Sequence, residues 1–241
     1  MTNIELVVFD MAGSTVKDNK EVEKCFFKAA EKTGLEAKSD RVVAMMGQAK
    51  RLVFETLWAE QLGADNSDYQ AKVEESYQQF KEILERHYLT EPVEPTEGCL
   101  EIFQWLKERG IKIALNTGFY RKVTNIILNR LGLDKDLNED YIGSENSIIN
   151  ASVTPSEIYN NEGRPAPYMQ QKSMYELGVK DPQKVIVLGD TPSDIQAGIN
   201  ANCRLSLGVT YGTHTKEQLM SYARDGLIDS LLELKEIIVN C

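Results

Sequence analysis

Four short segments of this 241-residue chain carry side chains able to handle a phosphoryl group and a hard cation. They read Asp10-Met-Ala-Gly-Ser-Thr15, Asn116-Thr-Gly118, Gly163-Arg-Pro-Ala-Pro167 and Gly189-Asp-Thr-Pro-Ser-Asp194. Two carboxylates brought to one place, Asp10 and Asp190, repel each other unless a cation lies between them. Oxygen-only ligands suit a hard ion, Mg²⁺ above all. A carboxylate beside such an ion can also attack phosphorus and form an acyl phosphate, while the metal offsets repulsion between Asp10 and an anionic substrate. Thr117, with the backbone amides of Gly118 and Phe119, can cradle phosphoryl oxygens at a strand-to-helix turn. Arg164 offers a forked cation for the charge that develops there. Gly13 lets the backbone turn sharply over the site. Taken singly, each residue is commonplace: a strand-end Asp is most often a turn residue or a helix cap, and a lone Arg a solvated surface cation. The weight lies in the series, because each candidate strand end carries the group required.

For these residues to meet, the strands bearing them must open on one edge. Leu6 to Phe9, Ile111 to Leu115, Val185 to Leu188 and Leu205 to Val209 are short apolar runs with little charge, as strands covered on both faces should be. Tyr141 to Ser144 is a weaker candidate of the same kind. Between them, Glu101 to Arg109, Val123 to Leu131 and Tyr168 to Leu177 show helical spacing of apolar residues, with Gly110, Gly132 and Gly178 as stops. Alternation of strand and helix predicts an α/β fold with a doubly wound, Rossmann-like parallel sheet, in which the carboxyl ends of the strands share one edge and bind the ligand there.

The segment between the first and second strands fits no strand. Glu21 to Thr33, Lys50 to Leu62 and Gln70 to Tyr88 read as amphipathic helices, and the proline-rich run Thr90 to Gly98 as a stiff return linker. The expectation is an all-helical insert of about seventy residues. It divides the chain into a core of residues 1–16 and 95–241 and a helical domain of residues 17–94.

Bulk properties narrow the partners. The formal charge of −10 argues against nucleic acid, which needs a basic face. A small anionic metabolite remains compatible, since local cations and a metal can dominate a pocket. The cysteines, Cys25, Cys99, Cys203 and Cys241, show no metal-ligand spacing and suit a reducing cytoplasm. No secretion signal and no apolar stretch of membrane-spanning length is evident, so no membrane partner is expected. A monomer or homodimer is the expected state.

The four segments resemble the four motifs of the haloacid dehalogenase superfamily, in order and along essentially the whole chain. The resemblance implies Asp10 as nucleophile, Thr117 and Arg164 as phosphoryl ligands with the Gly118 amide, and Asp190 as a Mg²⁺ ligand. It also implies the backbone carbonyl of Ala12 as a metal ligand and Asp194 as support for the metal site. The helical insert would be the superfamily's cap, whose closure excludes water.

Ala12 is the informative departure. Most phosphatases of the superfamily place a second Asp two residues after the nucleophile to protonate the leaving group. Alanine has no proton to give, which for a simple monoester should cost about 10²–10⁴ in rate. The sequence Asp-x-Ala-Gly-Ser-Thr resembles instead the phosphonoacetaldehyde hydrolases, or phosphonatases, where a cap lysine forms a Schiff base and the protonated imine accepts electrons from the breaking carbon–phosphorus bond. Met46-Gly-Gln-Ala-Lys50 is similar to that branch's Met-Gly-x-x-Lys, which would place Met46 in the substrate pocket and Lys50 as the imine former. Three positions depart from the branch: Val53 stands where a proton-shuttling histidine is usual, Phe119 where a tyrosine is usual, and Lys20 near the place of a cysteine. The expected activity is C–P cleavage of phosphonoacetaldehyde or a related small phosphonate. The alternatives are a small-molecule phosphate monoester phosphatase of the phosphoglycolate phosphatase kind, and a non-catalytic phosphate-binding regulator.

Overall fold

The structure, a computed structural model, describes residues 4–241. Its centre is a six-stranded sheet in the order β3-β2-β1-β4-β5-β6, parallel at every pairing. The strands are β1 (Leu6–Asp10), β2 (Lys112–Asn116), β3 (Ala151–Val153), β4 (Val185–Gly189), β5 (Leu205–Val209) and β6 (Leu227–Ile228). Every residue of β1 and β4 is buried, which explains their unbroken aliphatic runs. The order reverses between β1 and β4. That makes the crevice beyond Asp10 and Gly189 the switch point where doubly wound sheets bind ligands. The register places Asp10 beside Asn116, so the ends of β1 and β2 are level.

The described residues form ten α-helices: α1 (Glu21–Thr33), α2 (Ser39–Ala44), α3 (Lys50–Leu62), α4 (Tyr69–Thr90), α5 (Cys99–Glu108), α6 (Arg121–Leu131), α7 (Tyr168–Glu176), α8 (Pro192–Asn200), α9 (Lys216–Met220) and α10 (Leu234–Asn240). Their ends follow local chemistry. Gly34 ends α1 and Gly132 ends α6, each in the left-handed region with its N–H returned to carbonyls of the last turn. Among the described residues no helix is long and apolar enough to cross a membrane.

One expectation needs correction. Tyr141 to Ser144 is not a strand. Tyr141 sits at φ 61, a left-handed conformation that breaks extended pairing, and only isolated antiparallel bridges form at Ile142 and Gly143. The third strand is Ala151–Val153 instead, too short to register as an apolar run. The short helix α2 and strand β6 had no sequence signal for the same reason.

Helices α1 to α4 occupy the long segment after β1. Its outgoing and returning passes are clasped together. Lys17 N–H donates to Glu94 O (3.0 Å), Thr96 N–H to Thr15 O (3.0 Å) and Thr96 Oγ1 to Ser14 O (2.7 Å). Between α1, α3 and α4 the packing is aromatic. Phe54 stacks on Phe26 with centroids 4.4 Å apart and lies 5.8 Å from Phe80, all three fully buried. Phe54→Ala empties the middle of this stack and is expected to destabilise the chain by about 3–5 kcal/mol in urea unfolding. A loss under about 1 kcal/mol would mean that the helices collapse around the gap.

Candidate active site

The loops after β1, β2 and β4, the turn before α7 and the start of α3 close around one small cavity of about 30 Å³. Its lining includes Asp10, Ala12, Met46, Lys50, Thr117, Gly118, Arg164 and Asp190. These side chains come from five separate stretches of sequence. The loop bearing Met46 and Lys50 lies directly on the Thr117–Gly118 turn. A Cβ at Gly118 would stand 2.7 Å from Gln48 O, so only glycine permits this approach. Gly13, at φ 90, meets the same limit on the other side. A Cβ there would fall 2.3 Å from Asp190 Oδ2.

Asp10 ends β1 fully buried, and its Oδ1 accepts a 2.6 Å bond from Arg164 Nη1. Burial pushes its carboxyl up to about 6; Arg164 opposes the shift and the Asp190 charge adds to it. Asp190 Oδ2 accepts the Thr213 N–H (2.6 Å) and Oδ1 the Ser14 hydroxyl (3.4 Å). Asp194 does not line the cavity but stands behind it. Its Oδ2 accepts the Thr191 N–H (3.0 Å) in a capping box that opens α8, and its Oδ1 contacts Arg164. This box is legible as Thr191-x-x-Asp194 in the sequence.

Asp10, Asp190 and Asp194 each present a carboxylate oxygen within 4.8 Å of the others, all buried. One guanidinium cannot balance three buried carboxylates. This all-oxygen donor set fits a hard divalent cation. The Ala12 carbonyl, on the same cavity, accepts no hydrogen bond among the described residues.

Lys50 begins α3 and is 5% exposed. Among the described residues its one hydrogen-bond partner is Met46 Sδ at 3.7 Å. Burial, then the charge of Arg164, lowers its amine from 10.5 to about 8, while Asp10, Asp18 and Asp190 pull the other way. Arg51, its sequence neighbour, turns away to Glu55 (3.1 Å) and Glu74 (2.6 Å). The cation that matters to Lys50 is therefore Arg164, distant by more than a hundred residues.

Thr117 is buried, and its Oγ1 accepts the Phe119 N–H (3.2 Å). Phe119 lines the cavity and packs edge-on against Tyr88 (5.9 Å). Val53 is buried and adds no polar group, and Lys20 is exposed. Sequence reasoning missed three residues at the site: Asp18, Thr213 and Thr191 all line the cavity. Thr213 acts through its backbone amide, which no side-chain pattern reveals.

A model of the haloacid dehalogenase-like hydrolases matches residues 4–202. The chain belongs to the haloacid dehalogenase-like hydrolases. It is therefore a hydrolase, and its relatives narrow the branch. It is 32% identical over 222 residues to the phosphonoacetaldehyde hydrolase of Bacillus cereus, across 87% of this chain and 77% of the relative. A phosphonoacetaldehyde hydrolase-like protein from Oleispira antarctica has the same fold, with a TM-score of 0.76 at 20% identity over 99% of this chain and 92% of that one. A hydrolase from Pseudomonas syringae matches with a TM-score of 0.77 at 16% identity over 98% of both chains. Chains of such different sequence thus share this fold.

Proposed function

We propose that this hydrolase cleaves the carbon–phosphorus bond of phosphonoacetaldehyde or a closely related small phosphonate aldehyde through an imine on Lys50. The supporting observation is the placement of the Lys50 amine, buried and without a carboxylate partner, in the same cavity as Asp10 and Arg164. A desolvated lysine beside a guanidinium is neutral often enough near neutral pH to attack a carbonyl. Ala12 fits the same reading, since an imine leaving group needs no acid at that position.

In this reading Lys50 Nζ bonds to the aldehyde carbon and water leaves. Thr117, the Gly118 amide and Arg164 hold the phosphonate oxygens. Asp10 attacks phosphorus in line, and the C–P electron pair flows into the protonated imine, giving an enamine and an aspartyl-phosphate. Protonation and hydrolysis release acetaldehyde from Lys50, and water releases phosphate from Asp10. A Mg²⁺ held by Asp10, Asp190 and the Ala12 carbonyl, with Asp194 in support, would supply positive charge between carboxylate and phosphonate. Residues 17–94 form the cap and residues 1–16 with 95–241 the core, hinged at the clasp between 15–17 and 94–96. The cavity holds little more than a water-sized occupant, so the cap must swing aside to admit a substrate.

Borohydride reduction in the presence of phosphonoacetaldehyde, followed by peptide mass analysis, tests the imine. The expected product is a stable adduct on Lys50. Its rate of formation should rise with pH between 5 and 7, because the free amine is the nucleophile and its share grows toward the Lys50 titration near 8. Phosphate release without any adduct would overturn the reading in favour of a monoester phosphatase.

A further inference from the structure

We propose that Asp18 is the acid–base residue of the imine chemistry at Lys50, giving a proton to the departing carbonyl oxygen and recovering it when the imine is hydrolysed. The inference rests on the Lys50 imine and assigns a residue that reading leaves open. Carbinolamine dehydration needs a proton donor. The titratable or charged side chains lining the cavity are Asp10, Asp18, Lys50, Arg164 and Asp190. Four of these have tasks already. Val53 and Phe119 offer no proton, so Asp18 is the remaining carrier.

Its surroundings suit the task. Asp18 Oδ1 accepts the Glu21 N–H (2.7 Å) and the Val22 N–H (3.4 Å), which anchors it on the first turn of α1. The Glu21 carboxyl lies close by, its Oε2 buried with no hydrogen-bond partner among the described residues, and two neighbouring carboxyls in a buried place disfavour carrying two charges. Burial raises Asp18 to about 7, helped by Glu21. Burial is also the largest influence on Glu21 and raises it, but hydrogen bonding involving Asp18, its own backbone and Asn19 together outweighs burial and the net shift is downward. Asp18 is therefore the carboxyl of the two that favours the proton. Lys50 on α3, Cys25 on α1 and Tyr88 on α4 all feel the Asp18 charge. In the adjoining cavity Lys20, Glu23, Asp40 and His214 face the same region.

The step balances. Lys50 Nζ forms the C–N bond and the carbonyl π pair moves to oxygen. One proton passes from the new ammonium to that oxygen, and Asp18 supplies a second. Water leaves, the nitrogen lone pair forms the C=N⁺ bond, and Asp18 is left as carboxylate.

The test is Asp18→Asn, whose amide oxygen can accept the same two backbone bonds and so keeps the start of α1. Borohydride trapping with phosphonoacetaldehyde is followed from pH 5 to 9. At pH 7 the variant should form the Lys50 adduct about 10²-fold more slowly. Its rate should also keep rising until the Lys50 amine is free near 8, without the levelling near 7 and the fall above 8 that loss of the Asp18 proton imposes on the native enzyme. Asp18→Glu should recover part of the rate. An Asn variant that traps at the native rate, or traps slowly with an unchanged pH profile, overturns the proposal. A native enzyme that forms no Lys50 adduct overturns the imine itself, and this proposal with it.

Discussion

Asp10→Asn is expected to lose phosphate release by at least about 10⁴-fold, the scale seen when a nucleophile is removed from a working constellation. The amide is nearly the size of the carboxylate, and its oxygen can still accept the Arg164 bond now made at 2.6 Å. What disappears is the electron pair that would bond to phosphorus and one of three carboxylates in the acidic cluster. The loss should be in chemistry and not in folding. Burial and the Asp190 charge both disfavour the ionised Asp10. Removing that charge relieves like-charge repulsion, so the thermal midpoint should hold or rise. Rapid acid quenching with radiolabelled substrate should show phosphoprotein in the native enzyme and none in the variant. A variant keeping more than a few per cent of turnover would exclude covalent catalysis at Asp10.

Lys50→Met is the second large effect. C–P cleavage should fall by at least about 10³-fold, some 4 kcal/mol of barrier. Hydrolysis of an aryl phosphate, whose leaving group needs no imine, should fall less than tenfold. The split follows from position. Lys50 lies beside Met46 Sδ and lacks a carboxylate partner, so its amine does no structural work that methionine could not replace. A buried amine is costly to keep charged, and methionine fills a similar volume. The variant should therefore be at least as stable as the native chain in thermal unfolding. Equal loss of both activities would show that Lys50 serves phosphoryl binding and not the carbon end of the substrate. Unimpaired C–P cleavage would remove the imine from the mechanism.

The two effects also differ in what the chain reveals beforehand. Asp10 and Asp190 are readable because they close apolar runs that can only be central strands, and parallel strands of one sheet end on one edge. The stops at Gly34 and Gly132 and the Thr191–Asp194 box are readable because a helix end needs a partner within a few residues. Lys50 stands out only by its resemblance to a family pattern. By its own chemistry it is one lysine among many on an amphipathic helix.

The amino-acid sequence by itself determined the strands β1, β2, β4 and β5, the helical segment after the first strand and the polar groups that end β1, β2 and β4. These depend on neighbours close in the chain. The tertiary structure alone decided that Arg164, not Arg51, is the cation beside Lys50, that Asp18 reaches the cavity, and that Ala151–Val153 replaces Tyr141–Ser144 as the third strand. The physical reason is the same in each case. Burial and charge at a point are summed over groups from the whole chain, and a periodicity of apolar residues records only which face turns inward, not what it meets there.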